Sequence, residues 1–299
     1  MKYFGVVEVG GCSVKGYGYI DGKLEEIPSI PVKLKENYQA KGKFTKEDKE
    51  TLYQYVLKVK EDYGVVEVYG TSFFRKLSEE VKKSFLVEFF SKTGINFNIP
   101  TLEEECKYTV YGAIANIKHS NNIGVLVGGS TFTELAIVKD RQIIERQSLN
   151  FNAMDITNRY PDLKEDIATS NIKELLNETC SRMENIQNKT DILILAGGNY
   201  IMFYESMHYP LKENIFFLDD NEPYYIEKEN MERYDEQYFY QTSLEQVKKE
   251  NANTKIWWDG TRGMRICIDA VVNAIDAKFI VPTKISMTSG IIEMLKNSN

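Results

Sequence analysis

The chain opens on a short apolar run, "YFGVVEV", that breaks into Gly10 and Gly11. A run of that length closed by glycine predicts a β-strand over 3–9. Strands are also predicted over 15–20 and 23–27, and the Asp-Gly between them is a strong hairpin signal. The period then changes. Leu52, Val56 and Val59 recur at helical spacing and predict a helix over 46–63, followed by a strand in "VVEVYGTS". Val81, Phe85 and Phe89 mark a second helix beginning near Ser78. "INFNIP" alternates with period two and predicts a strand. Thr101 and Glu104 have capping-box spacing and predict a third helix carrying Leu102, Val110 and Ile117.

The second half repeats this order. Strands are predicted over 124–129, 133–138 and 142–149, then helical segments to about residue 187, the strand "DILILAGG" and another helix. Residues 210–255 are the least regular; a helix capped by Ser243 and Gln246 is the one readable element there. A helix over 262–277, the strand "FIVP" and a helix from about Ser289 close the chain. Three strands, then alternating helices and strands, twice over, predict a duplicated α/β fold. Its domains are expected over 1–120 and 121–299, with the closing helix able to pack on the first. Duplication explains why Gly10–Gly11 and Gly128–Gly129 both follow apolar strands. Two such turns facing one another across a cleft would offer backbone N–H groups to a phosphate chain from both sides.

Composition narrows the function. With 299 residues, 42% hydrophobic and 27% charged, the chain suits a soluble two-domain protein. A net charge of −7 without any basic block argues against nucleic-acid binding. No apolar run reaches the length of a membrane span, and the opening residues read as a strand, not a signal peptide. Cys12, Cys106, Cys180 and Cys267 are too scattered for zinc ligation or a disulfide framework, so the cytoplasm is the expected compartment. An anionic ligand must then find its positive charge locally, from Lys15, Arg75, Arg262, Arg265 and Lys284.

The motifs carry a resemblance. "VVEVGGCSVK" resembles the first phosphate motif of the exopolyphosphatase and guanosine pentaphosphate phosphatase (Ppx/GppA) family, A-[IV]-D-[IL]-G-S-N-S-[VFI]-[KR]. "VYGTSFFRK" is similar to its A-T-S-A-x-R segment, and "LEEECKYTVYGA" to its E-E-A-R-x-x-Y-x-G-x segment. "VLVGGSTFTEL" resembles its second phosphate motif, D-I-G-G-G-S-T-E-L. "LILAGGN" and "ISMTSGII" match its later glycine-bearing strand and its closing segment. The resemblance implies two ribonuclease-H-like, actin-like α/β domains with mixed sheets flanked by helices. It implies a phosphohydrolase releasing terminal phosphate from inorganic polyphosphate or guanosine pentaphosphate, with Mg²⁺ as cofactor. Glu105 falls on the catalytic base and Arg75 on the substrate-contacting arginine. Gly10, Gly11, Cys12, Ser13 and Lys15 fall on the first phosphate loop, and Gly128, Gly129, Ser130 and Thr131 on the second. Arg262 matches a late substrate arginine loosely, and Glu8 and Glu134 are the carboxylates left for a metal.

The departures open a second reading. The first-motif aspartate is Glu8, and the usual asparagine is Cys12. The second-motif aspartate is Leu126 if the two halves are set in register by their glycines, or Val127 if the motif is aligned without a gap. The aspartate expected after the late arginine is absent, since Arg262 is followed by Gly263, Met264 and Arg265. A non-catalytic protein that binds polyphosphate or a guanine nucleotide would tolerate these losses; a kinase of the same superfold fits less well.

Plainer readings stand beside the chemical ones. Glu103, Glu104 and Glu105 all sit where a helix dipole favours acids. The glycines serve any tight turn. Tyr224, Tyr225, Tyr234, Tyr238 and Tyr240 suit a packed lobe or a homodimer contact. His119 and His208 have no partners nearby in sequence and are given no catalytic role.

Overall fold

In the computed structural model the opening apolar run becomes the middle strand of a mixed sheet. Residues 3–118, 122–128, 132–183, 186–218, 222–254 and 256–298 are described. The chain divides into two units, Met1–Tyr108 with Ile291–Asn299, and Thr109–Gly290.

In the first unit, strands β1 (Tyr3–Val9), β2 (Ser13–Ile20) and β3 (Lys23–Pro31) form an antiparallel meander. Asp21 and Gly22, both at positive φ, make the turn between β2 and β3. Strand β3 is longer than 23–27 and is an edge strand, where Pro28 and Pro31 cost no ladder bond. Helix α1 (Leu34–Lys41), which the periodicity missed, ends at Gly42 with a left-handed φ of 66°. Helix α2 (Lys46–Tyr63) is capped by Thr45 and buries Leu52, Val56 and Val59. Strand β4 (Val66–Gly70) pairs parallel with β1, and the one-turn helix α3 (Ser72–Arg75) follows it. Helix α4 (Glu79–Thr93), capped by Ser78, buries Phe85 and Phe89. "INFNIP" yields only a two-residue strand, β5 (Phe97–Asn98), held between the Gly94 cap and Pro100. The sheet order is β3-β2-β1-β4-β5, and Phe74, Phe85, Phe89 and Phe97 meet in its core. Helix α5 (Leu102–Ala115) leads from this unit into the next.

The second unit repeats the meander as β6 (Ile123–Gly128), β7 (Thr133–Lys139) and β8 (Gln142–Ser148). Helices α6 (Ala153–Arg159) and α7 (Ile172–Ser181) follow, then β9 (Ile192–Ala196), parallel to β6, and α8 (Tyr200–Ser206). The irregular stretch is no detached lobe. It supplies β10 (Lys212–Glu213) and β11 (Tyr224–Glu227), which extend the sheet, and helices α9 (Lys228–Gln237) and α10 (Leu244–Glu250). Helix α11 (Thr261–Ile275), β12 (Phe279–Pro282) and α12 (Met287–Asn297) complete the chain. The sheet order is β10-β11-β12-β9-β6-β7-β8. The architecture is therefore two mixed sheets flanked by helices. Among the described residues, no helix is long and apolar enough to cross a membrane.

One buried polar cluster fastens the irregular stretch to α11. Arg265, with 0% of its surface exposed, donates to the Tyr204 hydroxyl and to Asp235 on α9, each at 2.6 Å. It also pairs with Asp269 one turn along its own helix. Tyr209 donates to Asp235, and Tyr240 to Asp269 at 3.4 Å. One guanidinium thus serves two carboxylates. Burial, opposed by Arg265 and aided by Asp235, pushes the Asp269 carboxyl up to about 7 from its ordinary 3.8.

A carboxyl raised in the folded state stabilises the fold most below its unfolded pKa, and that contribution fades as pH rises through the folded one. Relative to Asp269→Asn, the parent should lose stability as pH rises through the raised pKa of this carboxyl, about 7. Urea unfolding across pH 5–8 measures this, and parallel profiles for the two proteins would refute it.

Candidate active site

The first phosphate loop is a tight hairpin turn. Strands β1 and β2 close at Val9 opposite Val14, leaving Gly10, Gly11, Cys12 and Ser13 as the turn. The Gly10 amide donates to the Ser13 carbonyl at 2.8 Å; Gly11 and Cys12 carbonyls accept from Lys35 and Val32 at 2.9 and 3.0 Å. With those carbonyls committed, the amide side of the turn is the one suited to an anion. A side chain at Gly11 has no room: its Cβ would lie 2.8 Å from Lys35 Cβ and 3.3 Å from the Phe73 ring. Glu8 and Lys15 stand opposite one another at the foot of this turn, with carboxylate and ammonium 3.9 Å apart.

The three acids that open α5 have three different jobs. Glu103 pairs with Lys107 at 2.8 Å. Glu104 accepts from the Thr101 amide at 2.8 Å while its own amide donates to the Thr101 hydroxyl, a capping box. Those Thr101 contacts hold the Glu104 carboxyl below its ordinary range. Glu105 turns to Arg75, whose Nη1 lies 2.6 Å from its Oε2. The same Nη1 donates to the Pro100 carbonyl at 3.1 Å. The two expected catalytic residues are thus brought together, with side chains 21% and 18% exposed. Their supports are stiff. Gly70, ahead of Arg75, could carry no Cβ without meeting Phe97 at 2.5 Å, and Phe74 is fully buried.

The second hairpin's ladder ends at Gly128 opposite Thr133. Gly129, Ser130 and Thr131, like His119, lie outside the described residues. The two hairpins can be set in register by their ladders. Val9–Val14 matches Gly128–Thr133, so Glu8–Lys15 matches Val127–Glu134. Val127 is therefore the counterpart of Glu8. Leu126, given by aligning the glycines, is instead the counterpart of Val7 and lies in the core. At the end of the neighbouring strand, Gly197 adopts φ +91°, and a Cβ there would lie 2.8 Å from the Gly128 carbonyl.

Two of the five expected cations are removed by burial. Arg262 Nη1 donates to the Leu163 and Glu165 carbonyls at 3.2 and 2.7 Å, and Nη2 to those of Asp166 and Thr242, both at 2.9 Å. Its donors are spent on backbone, so it clamps loops and does not hold phosphate. Arg265 is committed to Asp235, Asp269 and Tyr204. Lys15 and Lys284 remain exposed, and Arg75 keeps part of its surface accessible.

Among the described residues, no three His, Cys, Asp or Glu side chains cluster as a metal site. Glu134 nonetheless fits a cation in one respect. It is 4% exposed, among the described residues its Oε2 is buried without a hydrogen-bond partner, and the Arg146 Nε is 3.8 Å away. Mg²⁺ takes few protein carboxylates and fills its remaining positions with water and phosphate.

A cavity of about 270 Å³ lies beside the Gly197–Gly198 turn, a site that sequence reasoning missed. Met202, Phe203, Ile256, Trp257 and Met264 form much of its wall, and among the described residues no charged side chain lines it. Trp257 is 44% exposed. The adjacent Trp257–Trp258 pair ahead of α11 was the available sign.

Residues 26–254 match the Ppx/GppA phosphatase family. The fold is similar to that of the type II crystal variant of the Aquifex aeolicus Ppx/GppA phosphatase. That likeness has 15% identity and TM-score 0.74, over 98% of this chain and 99% of that one. It is also similar to an exopolyphosphatase from Cytophaga hutchinsonii, with 15% identity and TM-score 0.69, over 100% and 99% of the two chains. No curated protein matches in sequence.

Arg262→Met should cost roughly 3–5 kcal/mol of stability, because it strands buried carbonyls. Under conditions where the variant stays folded, its tripolyphosphate affinity should remain within about twofold of the parent, as neutral structural sites do. Thermal unfolding and calorimetric titration read the two effects separately, and a selective loss of affinity would return Arg262 to the binding site.

Proposed function

The chain belongs to the Ppx/GppA phosphatase family, and from that premise we propose that it hydrolyses a terminal phosphoanhydride of polyphosphate or guanosine pentaphosphate. The observation that carries the reading is the Arg75–Glu105 pair, 2.6 Å apart in the unit that also holds the Gly10–Ser13 turn. Glu105 orients the attacking water and takes its proton. Arg75 and Lys15 hold the phosphate chain, and the amides of the turn cradle it. Glu134, with its buried carboxylate oxygen, is the residue of the second unit that would hold Mg²⁺, which when bound would neutralise charge on phosphoryl oxygens.

Two observations qualify the substrate and the activity. The cavity beside Gly197 is near the lower end of the roughly 300–1,000 Å³ range of small-molecule sites, and its apolar wall with Trp257 suits a nucleobase. This favours the nucleotide over polyphosphate. Val127, an apolar residue at the counterpart of Glu8, favours the alternative of a protein that binds the same ligands without turnover.

Phosphate release from guanosine pentaphosphate and from polyphosphate, with Mg²⁺ and with chelator, is the deciding measurement. Release should require the cation and fall at least about 100-fold in Glu105→Gln, the usual contribution of a general base. Binding without release under any metal condition would leave the non-catalytic reading standing. Trp257→Ala should raise KM for the nucleotide about tenfold, the worth of one stacked base, and leave that for polyphosphate unchanged. Equal effects on both substrates would remove the base from this pocket.

A further inference from the structure

The two cations expected at the first turn each face an acid. The Lys15 ammonium lies 3.9 Å from the Glu8 carboxylate, and Arg75 lies 2.6 Å from that of Glu105. Charge for charge, these pairs leave nothing over for an anionic chain. A cation without such a partner lies beside the turn: Lys35, on α1. It is exposed, and among the described residues no carboxylate forms an ion pair with it.

The turn itself fixes where Lys35 stands. Its amide donates to the Gly11 carbonyl at 2.9 Å, and the Val32 amide donates to that of Cys12 at 3.0 Å. Leu34, between the two, is fully buried and anchors the start of α1. The Lys35 side chain runs along the turn, for its Cβ and Cδ lie 2.8 and 3.4 Å from where a Gly11 Cβ would stand. The Phe73 ring, two residues before Arg75, comes within 3.3 Å of the same point. A lysine stem thus fills the space that the glycine leaves, and its charged end stays in water.

We propose that Lys35 is a substrate-contact residue whose ammonium pairs with a phosphate further along the chain than the one removed. The assignment rests on the phosphohydrolase reading of this site, which gives the terminal phosphate to Glu105 and Arg75. A contact to a phosphate that does not react is equally strong before and during reaction. It therefore lowers KM and leaves kcat alone.

Calorimetric titration of the full chain with tripolyphosphate tests this. Lys35→Met keeps the apolar stem and removes the charge, and affinity should fall about tenfold, the worth of one charge-assisted contact. Lys35→Glu should bind more weakly still, and Lys35→Arg should stay within about twofold of the parent. Lys41→Met alters the net charge equally at an exposed position in the last turn of the same helix. Its affinity should stay within about twofold of the parent. In turnover, Lys35→Met should raise KM about tenfold with kcat within about twofold. Equal losses in Lys35→Met and Lys41→Met overturn the proposal, as does a fall in kcat with affinity intact. Selective loss of affinity in a protein that releases no phosphate under any metal condition supports the contact and overturns the hydrolase reading alone. A parent that does not bind tripolyphosphate overturns both.

Discussion

The second unit is organised around the cost of burying two guanidinium groups one turn apart on α11. Arg262 and Arg265 are 2% and 0% exposed, and a buried cation is tolerable only when its donors are met. The chain answers each in a different way. Backbone carbonyls of the 163–166 segment and of Thr242 surround Arg262. Carboxylates from α9 and α11 and a tyrosine hydroxyl surround Arg265. Those demands bring the irregular 210–255 stretch into register with the helices beneath it, which hydrophobic packing alone would do with less specificity.

The same demands separate what could be read from sequence and what could not. Strands β1, β4, β6 and β9 were legible because short apolar runs end on glycine, β2 and β7 because each is followed by a tight polar turn, and α2 and α4 because their buried faces recur at helical spacing. The capping box at Thr101 was legible as a pair of residue types three apart. Helix α1 was missed because it buries Leu34 alone. The strands β10 and β11 were missed because they lie at the far edge of a sheet whose pattern is set elsewhere. Arg262 illustrates the deeper limit. A sequence marks an arginine as a cation, but only the fold shows that its charge faces carbonyls.

The candidate site shows a similar division of labour. Of three adjacent glutamates, one supports a helix surface, one closes the helix end and one faces an arginine from another element. Helix geometry explains this: successive side chains point about a quarter-turn apart, so three neighbours must meet three environments. Acidic residues at a helix start therefore carry little information collectively. Their individual directions carry a great deal.

The register of the two hairpins has a consequence for the history of the fold. If a common ancestor lent the same turn to both units, equivalent rungs once carried equivalent side chains. Today one unit sets a carboxylate against an ammonium, Glu8 with Lys15, and the other sets an apolar residue against a carboxylate, Val127 with Glu134. The halves have ceased to be interchangeable parts. Transplanting the strands of either hairpin into the other's place would change the charge at the end of the ladder while preserving its pairing, so duplication survives here as strand register and has been erased as electrostatics.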